Sequence, residues 1–269
     1  MLSDRVPRST SLAALAVRDV RIARTYRIAL ALEIGFGVLN LAVFYFVAGF
    51  VDEGELDVQG GDYFGFVAVG IALAVVIEAG VAGIATRLRD EQLTGTLGEL
   101  MVQPVSSSEL ALGLGALPMM TATLRVAVYL GAGALVLGLD LGSANWAAGV
   151  LVLALVAAFL LSLGVAVAAV TLLVKRSEVL VGIIAFLIAM LGGAFFPISA
   201  LPGWLETIAN LLPTKFIFEG TRDALLTGSG WEDDALALAI MSAVAFPAAL
   251  ALFRACLRTA RRLGTLAEY

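Results

Sequence analysis

Histidine is absent from the 269 residues, and cysteine occurs once, at Cys256. No imidazole can therefore serve as a base or a metal ligand. A single thiol closes no disulfide within the chain and builds no cysteine-cluster metal site. Charge is scarce too: 14% of residues are charged against 61% hydrophobic, and mean hydropathy is +0.99. A soluble domain carries about a quarter charged residues, so a water-soluble enzyme is excluded before any motif is read. Lysine appears only as Lys175 and Lys215, and neither follows glycine. A phosphate-binding loop needs that pair within G-x-x-x-x-G-K-[ST], so the chain lacks the motif and is expected to leave no room for a nucleotide-binding domain. An intramembrane hydrolase needs an activated nucleophile with a base in reach, and no two aspartates fall at ligand spacing within an apolar segment. The chain is expected to be no enzyme, with no catalytic residue, no metal, no cofactor of its own and no nucleic-acid partner.

What the chain has is long apolar segments, and six can be marked: 28–50, 64–86, 111–139, 146–174, 179–196 and 234–253. Each approaches the roughly 20 residues a bilayer span requires. The third contains Pro118 and Arg125. The fifth runs into Gly192-Gly193-Ala194-Phe195-Phe196-Pro197, where a helix should end or kink. Fourteen of the seventeen Lys and Arg residues flank these segments on one side, including Arg5, Arg87, Arg89, Lys175, Arg176 and Arg254. The positive-inside rule then places both termini in the cytoplasm, which requires an even number of spans. The first apolar segment exceeds the roughly 7–15 residues of a signal-peptide core and ends in no clear cleavage site, so it is read as an uncleaved span. Residues 1–27 precede it as a cytoplasmic N-terminus, within which 9–26 read as an amphipathic helix lying in the interface. Residues 28–253 form the membrane domain and 254–269 a cytoplasmic tail. Asp52, Glu53, Glu55, Asp57 and Asp62 crowd the first outer loop. They are read as solvation of a loop from which basic residues are excluded, in preference to a funnel for cationic substrates.

Two segments outside the spans carry information. In the cytoplasmic loop 87–109, Thr96 can cap a short helix with Glu99 three positions on. Leu97 and Leu100 then share a face, and Pro104 stops the turn. Such an exposed amphipathic helix, held between two spans, can transmit force from a partner or can merely cover the membrane surface. In the outer stretch 197–228, Pro197, Pro202 and Pro213 divide the chain into pieces too short to span. Trp204 suits the membrane interface, and Glu219 and Arg222 stand three apart on one helical face where they can pair. Both pieces read as helices that dip back into the outer leaflet, tolerated only against protein or a water-filled cavity.

Charges inside spans are expensive and mark function by default. Glu33 lies near Arg27 at the cytoplasmic end of the first span, as for an interfacial ion pair. Glu78 and Arg125 lie deeper, where pairing would offset part of their burial cost, against a role in substrate or proton handling. Asn40 is positioned to hydrogen-bond across helices. Phe36, Leu39 and Phe196 are candidates to line the path of a bulky apolar substrate.

The pattern R-x-x-E-x-x-x-G-T-L-x-x-L-x-x-x-P is present as Arg87, Glu91, Gly95, Thr96, Leu97, Leu100 and Pro104. The pattern F-F-P-x-x-x-L-P-x-W-L-x-x-I-A-x-L-x-P, followed by E-x-x-R-x-x-L-L-x-G, runs from Phe195, Phe196 and Pro197 through Pro202, Trp204 and Pro213 to Glu219, Arg222 and Gly228. With six spans and a cytoplasmic N-terminus, these segments resemble the membrane subunit of ABC-2-type exporters, along nearly the whole chain. The resemblance implies an all-α integral membrane protein with an N-terminal interfacial helix, a cytoplasmic coupling helix and two re-entrant helices between spans five and six. It further implies a separate ABC ATPase subunit that holds ATP and Mg, with Arg87 to Pro104 as the coupling segment, and a second permease copy or paralogue forming a dimer in the lipid bilayer. The expected setting is the cytoplasmic membrane of a prokaryote. The expected task is export of an amphipathic drug-like or lipid-like molecule. Polysaccharide or glycolipid export, a scaffold or sensor regulating a partner ATPase, and a passive channel are the alternatives.

Overall fold

A computed structural model describes residues 27–51, 58–94, 107–171 and 178–263. Among these residues there are only helices and the turns between them: α1 (Arg27–Ala48), α2 (Tyr63–Val81), α3 (Gly83–Leu93), α4 (Ser107–Val136), α5 (Trp146–Thr171), α6 (Glu178–Leu191), α7 (Gly203–Leu211), α8 (Thr214–Arg222) and α9 (Glu232–Leu263). Five helical stretches are long and apolar enough to cross a bilayer: Leu30–Ala48, Tyr63–Glu91, Glu109–Val136, Trp146–Thr171 and Glu232–Thr259. The fifth expected span, 179–196, is instead a shorter helix that stops at Leu191. Its end is dictated by Gly192 and Gly193, the latter at φ +98°, a left-handed conformation that costs glycine little.

α2 is the central post. Fourteen of its nineteen residues are buried, as befits a helix apolar on every side, and it packs against α1, α4, α5, α6 and α8. Asp62 starts it: its carboxylate accepts 2.9 Å hydrogen bonds from the backbone N–H groups of Phe64 and Gly65, two donors no helical carbonyl can reach. α2 and α5 approach so closely that a Cβ on Gly164 would strike the carbonyl oxygen of Gly80. Small residues permit such backbone contact, which drives helix association where lipid removes the hydrophobic term.

α5 also packs along the length of α9, the most extensive helix pair. α9 runs on to Leu263, so part of the expected cytoplasmic tail continues the last span as helix. Near the basic end a second core gathers Ile84 and Leu88 of α3, Leu110 and Leu114 of α4, Val165 of α5, and Phe253 and Leu257 of α9. It fastens α3, and with it Arg87 and Glu91, to the bundle. α1 is the least covered helix: Leu32, Phe36, Leu39, Val43 and Phe46 are all exposed, an apolar face suited to lipid.

Candidate functional site

Four helices turn one face each toward a cavity of about 490 Å³. α1 contributes Glu33, Phe36, Gly37 and Asn40; α2 contributes Ile71, Ala74, Val75 and Glu78; α4 contributes Arg125 and Tyr129; α6 contributes Gly182, Ala185, Phe186 and Ala189. The three- and four-residue spacing on each helix is that of a single helical face. Glycine and alanine on α6 and Ala74 on α2 leave the space, and Phe195 also borders it.

The ion pair in the wall joins Arg125 to Glu33: Nη2 of Arg125 donates to Oε2 of Glu33. The expected Glu78–Arg125 pair is therefore corrected, and Glu33 turns to α4. The reason is local. Gly37, one turn beyond Glu33, lets α1 lie against Tyr129, whose ring any Cβ on Gly37 would strike. That contact brings the Glu33 carboxylate to Arg125, one turn before Tyr129, whose hydroxyl lies 3.5 Å from the Glu33 carbonyl oxygen. Glu78 faces the cavity with neither an ion pair nor a hydrogen bond among the described residues. Asn40 makes no cross-helix hydrogen bond there either; it lines the cavity.

A second cavity, of about 360 Å³, is walled by the same Glu33, Val75, Glu78 and Arg125, and by Thr86, Arg87, Pro118 and Thr121. Glu33, Arg125 and Glu78 thus stand where the two spaces meet, with Arg87 toward the basic end and Phe195 toward the other. Arg87 and Glu91 lie on α3, and both are engaged in polar or electrostatic contacts. Gly95, Thr96, Leu97, Leu100 and Pro104 fall outside the described residues, as does the expected interfacial helix at 9–26.

At the far end, each expected proline stands immediately before a helix: Pro197 before the short 3-10 turn Ile198–Ala200, Pro202 before α7 and Pro213 before α8. Proline lacks the N–H that a first helical turn leaves unused. Trp204 is 68% exposed, as an interfacial residue should be. Phe195 stacks on Phe44 with ring centroids 5.5 Å apart, and the Tyr63 hydroxyl donates to its carbonyl at 3.2 Å. Phe196 is half-buried and does not line the main cavity.

The expected Glu219–Arg222 pair does not form. Arg222 is 2% exposed. Its Nε donates to the Phe66 carbonyl at 3.1 Å, and its Nη2 donates to the carbonyls of Gly193 at 2.6 Å and Ala194 at 3.4 Å. Its guanidinium also lies 3.4 Å over the Phe66 ring. The carbonyls of Gly193 and Ala194 are freed where α6 ends, so the cation satisfies a broken helix and ties it to Phe66 on α2. Glu219 is left with Lys215, at 3.8 Å. Burial raises the carboxyls of Glu219 and Asp223 above their ordinary range. Beyond Arg222 the helix loosens into a π turn, Asp223–Thr227, and stops at Gly228, φ +77°.

Tyr129, Gly37 and Phe186 went unremarked in the sequence. The i, i+4 step from Arg125 to Tyr129 is the one signal that points to them, and it matches any core helix equally well. No curated protein matches the chain. The family model described as ABC-2 type transporter matches residues 10–226, most of the chain and nearly all of the elements just described. An all-helical bundle with membrane-length apolar helices, interrupted by a broken helix before its last span, is in keeping with that match, and the chain belongs to the ABC-2 type transporter family.

Proposed function

We propose that this chain is the membrane-spanning permease subunit of an ATP-driven exporter, moving an amphipathic drug-like or lipid-like molecule out of the cytoplasm or the inner leaflet. Family membership supports a transporter membrane subunit and, in general, partnership with an ABC ATPase. The observation that carries the finer reading is the pair of cavities in series, about 360 Å³ and 490 Å³, meeting at Glu33, Glu78 and Arg125. A space of that size suits a drug-sized molecule, and its mixed apolar and charged wall suits an amphipath better than a bare ion.

In this reading α6 is the fifth of six spans and both termini are cytoplasmic. α7 and α8 are the re-entrant helices of the outer leaflet. The ATPase subunit binds ATP and Mg and performs the hydrolysis, and the chain itself catalyses nothing. Segment 87–109 rests on that ATPase, and movement is delivered through α3, whose Ile84 and Leu88 are locked into the bundle at 0% and 1% exposure. A second copy or a paralogue completes the transporter in the cytoplasmic membrane of a prokaryote. Polysaccharide or glycolipid export is the weaker alternative, because it favours a wide channel and the cavity holds about 490 Å³.

The test is reconstitution with the ATPase subunit in liposomes. Leu97→Asp with Leu100→Asp should leave the protein inserted and folded while abolishing nucleotide-driven flux and stimulation of hydrolysis. Flux that needs neither nucleotide nor a companion subunit would remove the export reading.

A further inference from the structure

We infer that the 490 Å³ cavity takes a monocationic amphipathic molecule, with the Glu78 carboxylate as its counter-charge. The inference rests on the export reading and deepens it by naming a substrate class. Three charged residues line the cavity: Glu33, Glu78 and Arg125. Glu33 and Arg125 are paired with each other, so together they add no net charge to the lining. Glu78 is left over, on the exposed side of an otherwise mostly buried helix and with no partner among the described residues. A carboxylate at membrane depth with no partner is costly. A neutral ligand that displaced water from it would raise that cost, and an anion would add repulsion. A cation removes it.

The rest of the lining has the same preference. Phe36, Phe186, Phe195 and Tyr129 all border the space. Their ring faces attract a cation through the quadrupole and accept an apolar body equally well. Asn40 adds an amide without a hydrogen-bond partner among the described residues. The second cavity includes Arg87 as well as Glu33, Glu78 and Arg125, so its charges balance. Counted by its lining, the 490 Å³ cavity carries one net negative charge and the second carries none, and Glu78 stands where the two meet.

Tetraphenylphosphonium and tetraphenylborate have the same shape and opposite charge, and equilibrium dialysis against the full chain in nanodiscs, with empty nanodiscs subtracted, compares them directly. Saturable binding of the phosphonium and none of the borate is expected. Glu78→Gln should weaken phosphonium binding by at least about tenfold, and Glu78→Asp by about threefold or less. Thermal unfolding verifies that each variant is folded. If Glu78→Gln fails to fold, the comparison of the two ions on the unaltered protein decides. Equal saturable binding of the two ions, or unchanged phosphonium binding in folded Glu78→Gln, overturns the assignment. The measurement uses no ATPase and no nucleotide. A negative result therefore leaves the export reading to its own flux test, and a failed flux test leaves the charge preference standing.

Discussion

Nη2 of Arg222 donates a 2.6 Å hydrogen bond to the carbonyl oxygen of Gly193, 29 residues earlier, while Nε of the same guanidinium reaches Phe66 on α2. One side chain thereby pins the break after α6 to the central helix. α6 ends where Gly193 adopts φ +98°, which turns carbonyls away from any helical donor. In a bilayer interior such groups have no water to turn to, and a planar cation with several donors is the side chain best able to serve more than one of them.

Replacing Arg222 with Met should therefore orphan the carbonyls of Gly193 and Ala194 and remove the tie to Phe66. A loss of about 3 kcal/mol or more is expected, read as thermal or denaturant unfolding in detergent. Glu219→Gln should cost less than about 1 kcal/mol, since its one ion pair among the described residues is the part-exposed one with Lys215. Equal losses for the two variants would restore Glu219 as the partner of Arg222.

The Arg125–Glu33 pair makes a similar distinction between partners. Arg125→Gln leaves the Glu33 carboxylate without its cation, and adding Glu33→Gln should recover part of the loss. A coupling of about 1–2 kcal/mol is expected in the double-mutant cycle. Adding Glu78→Gln to Arg125→Gln should recover nothing. Recovery with Glu78 in place of Glu33 would show that the pairing in the membrane differs from the one described.

Gly37 is the contact point of α1 with α4. Gly37→Ala should displace Tyr129 and lower stability by about 1–3 kcal/mol, with α1 the helix set loose. In the background of Tyr129→Ala the same substitution should cost much less, because the obstructing ring is gone. Purely additive losses would mean that the helices do not meet there.

Leu88 and Leu93 share α3 but not its surroundings. Leu88 is 1% exposed in the core near the basic end, and Leu93 is 63% exposed. Leu88→Ala should cost about 2–4 kcal/mol and Leu93→Ala almost nothing. If α3 transmits motion, Leu88→Ala should also weaken stimulation of the partner ATPase more than it weakens association with it, as measured by hydrolysis assay and co-purification.

Local chemistry was readable in the chain. Long apolar runs and the lopsided placement of arginine follow from the cost of exposing backbone or charge to lipid, a cost each segment meets by itself, and the helices appear close to where the runs lie. The prolines at 197, 202 and 213 stand at helix starts, because a missing N–H is a property of one residue. Most of the cavity lining was out of reach, although Glu33, Phe36, Asn40, Glu78, Arg125 and Phe195 were each singled out one by one. Charge pairing is hidden for the same reason. Depth along the spans favours Glu78 for Arg125, and spacing favours Glu219 for Arg222. The actual partners are chosen by where Gly37 lets two helices touch and by where the helix ending at Leu191 leaves carbonyls bare. Spacing along a helix determines which side chains share a face; which neighbour that face meets depends on backbone approach distances between segments tens of residues apart, and those exist only once the bundle has packed.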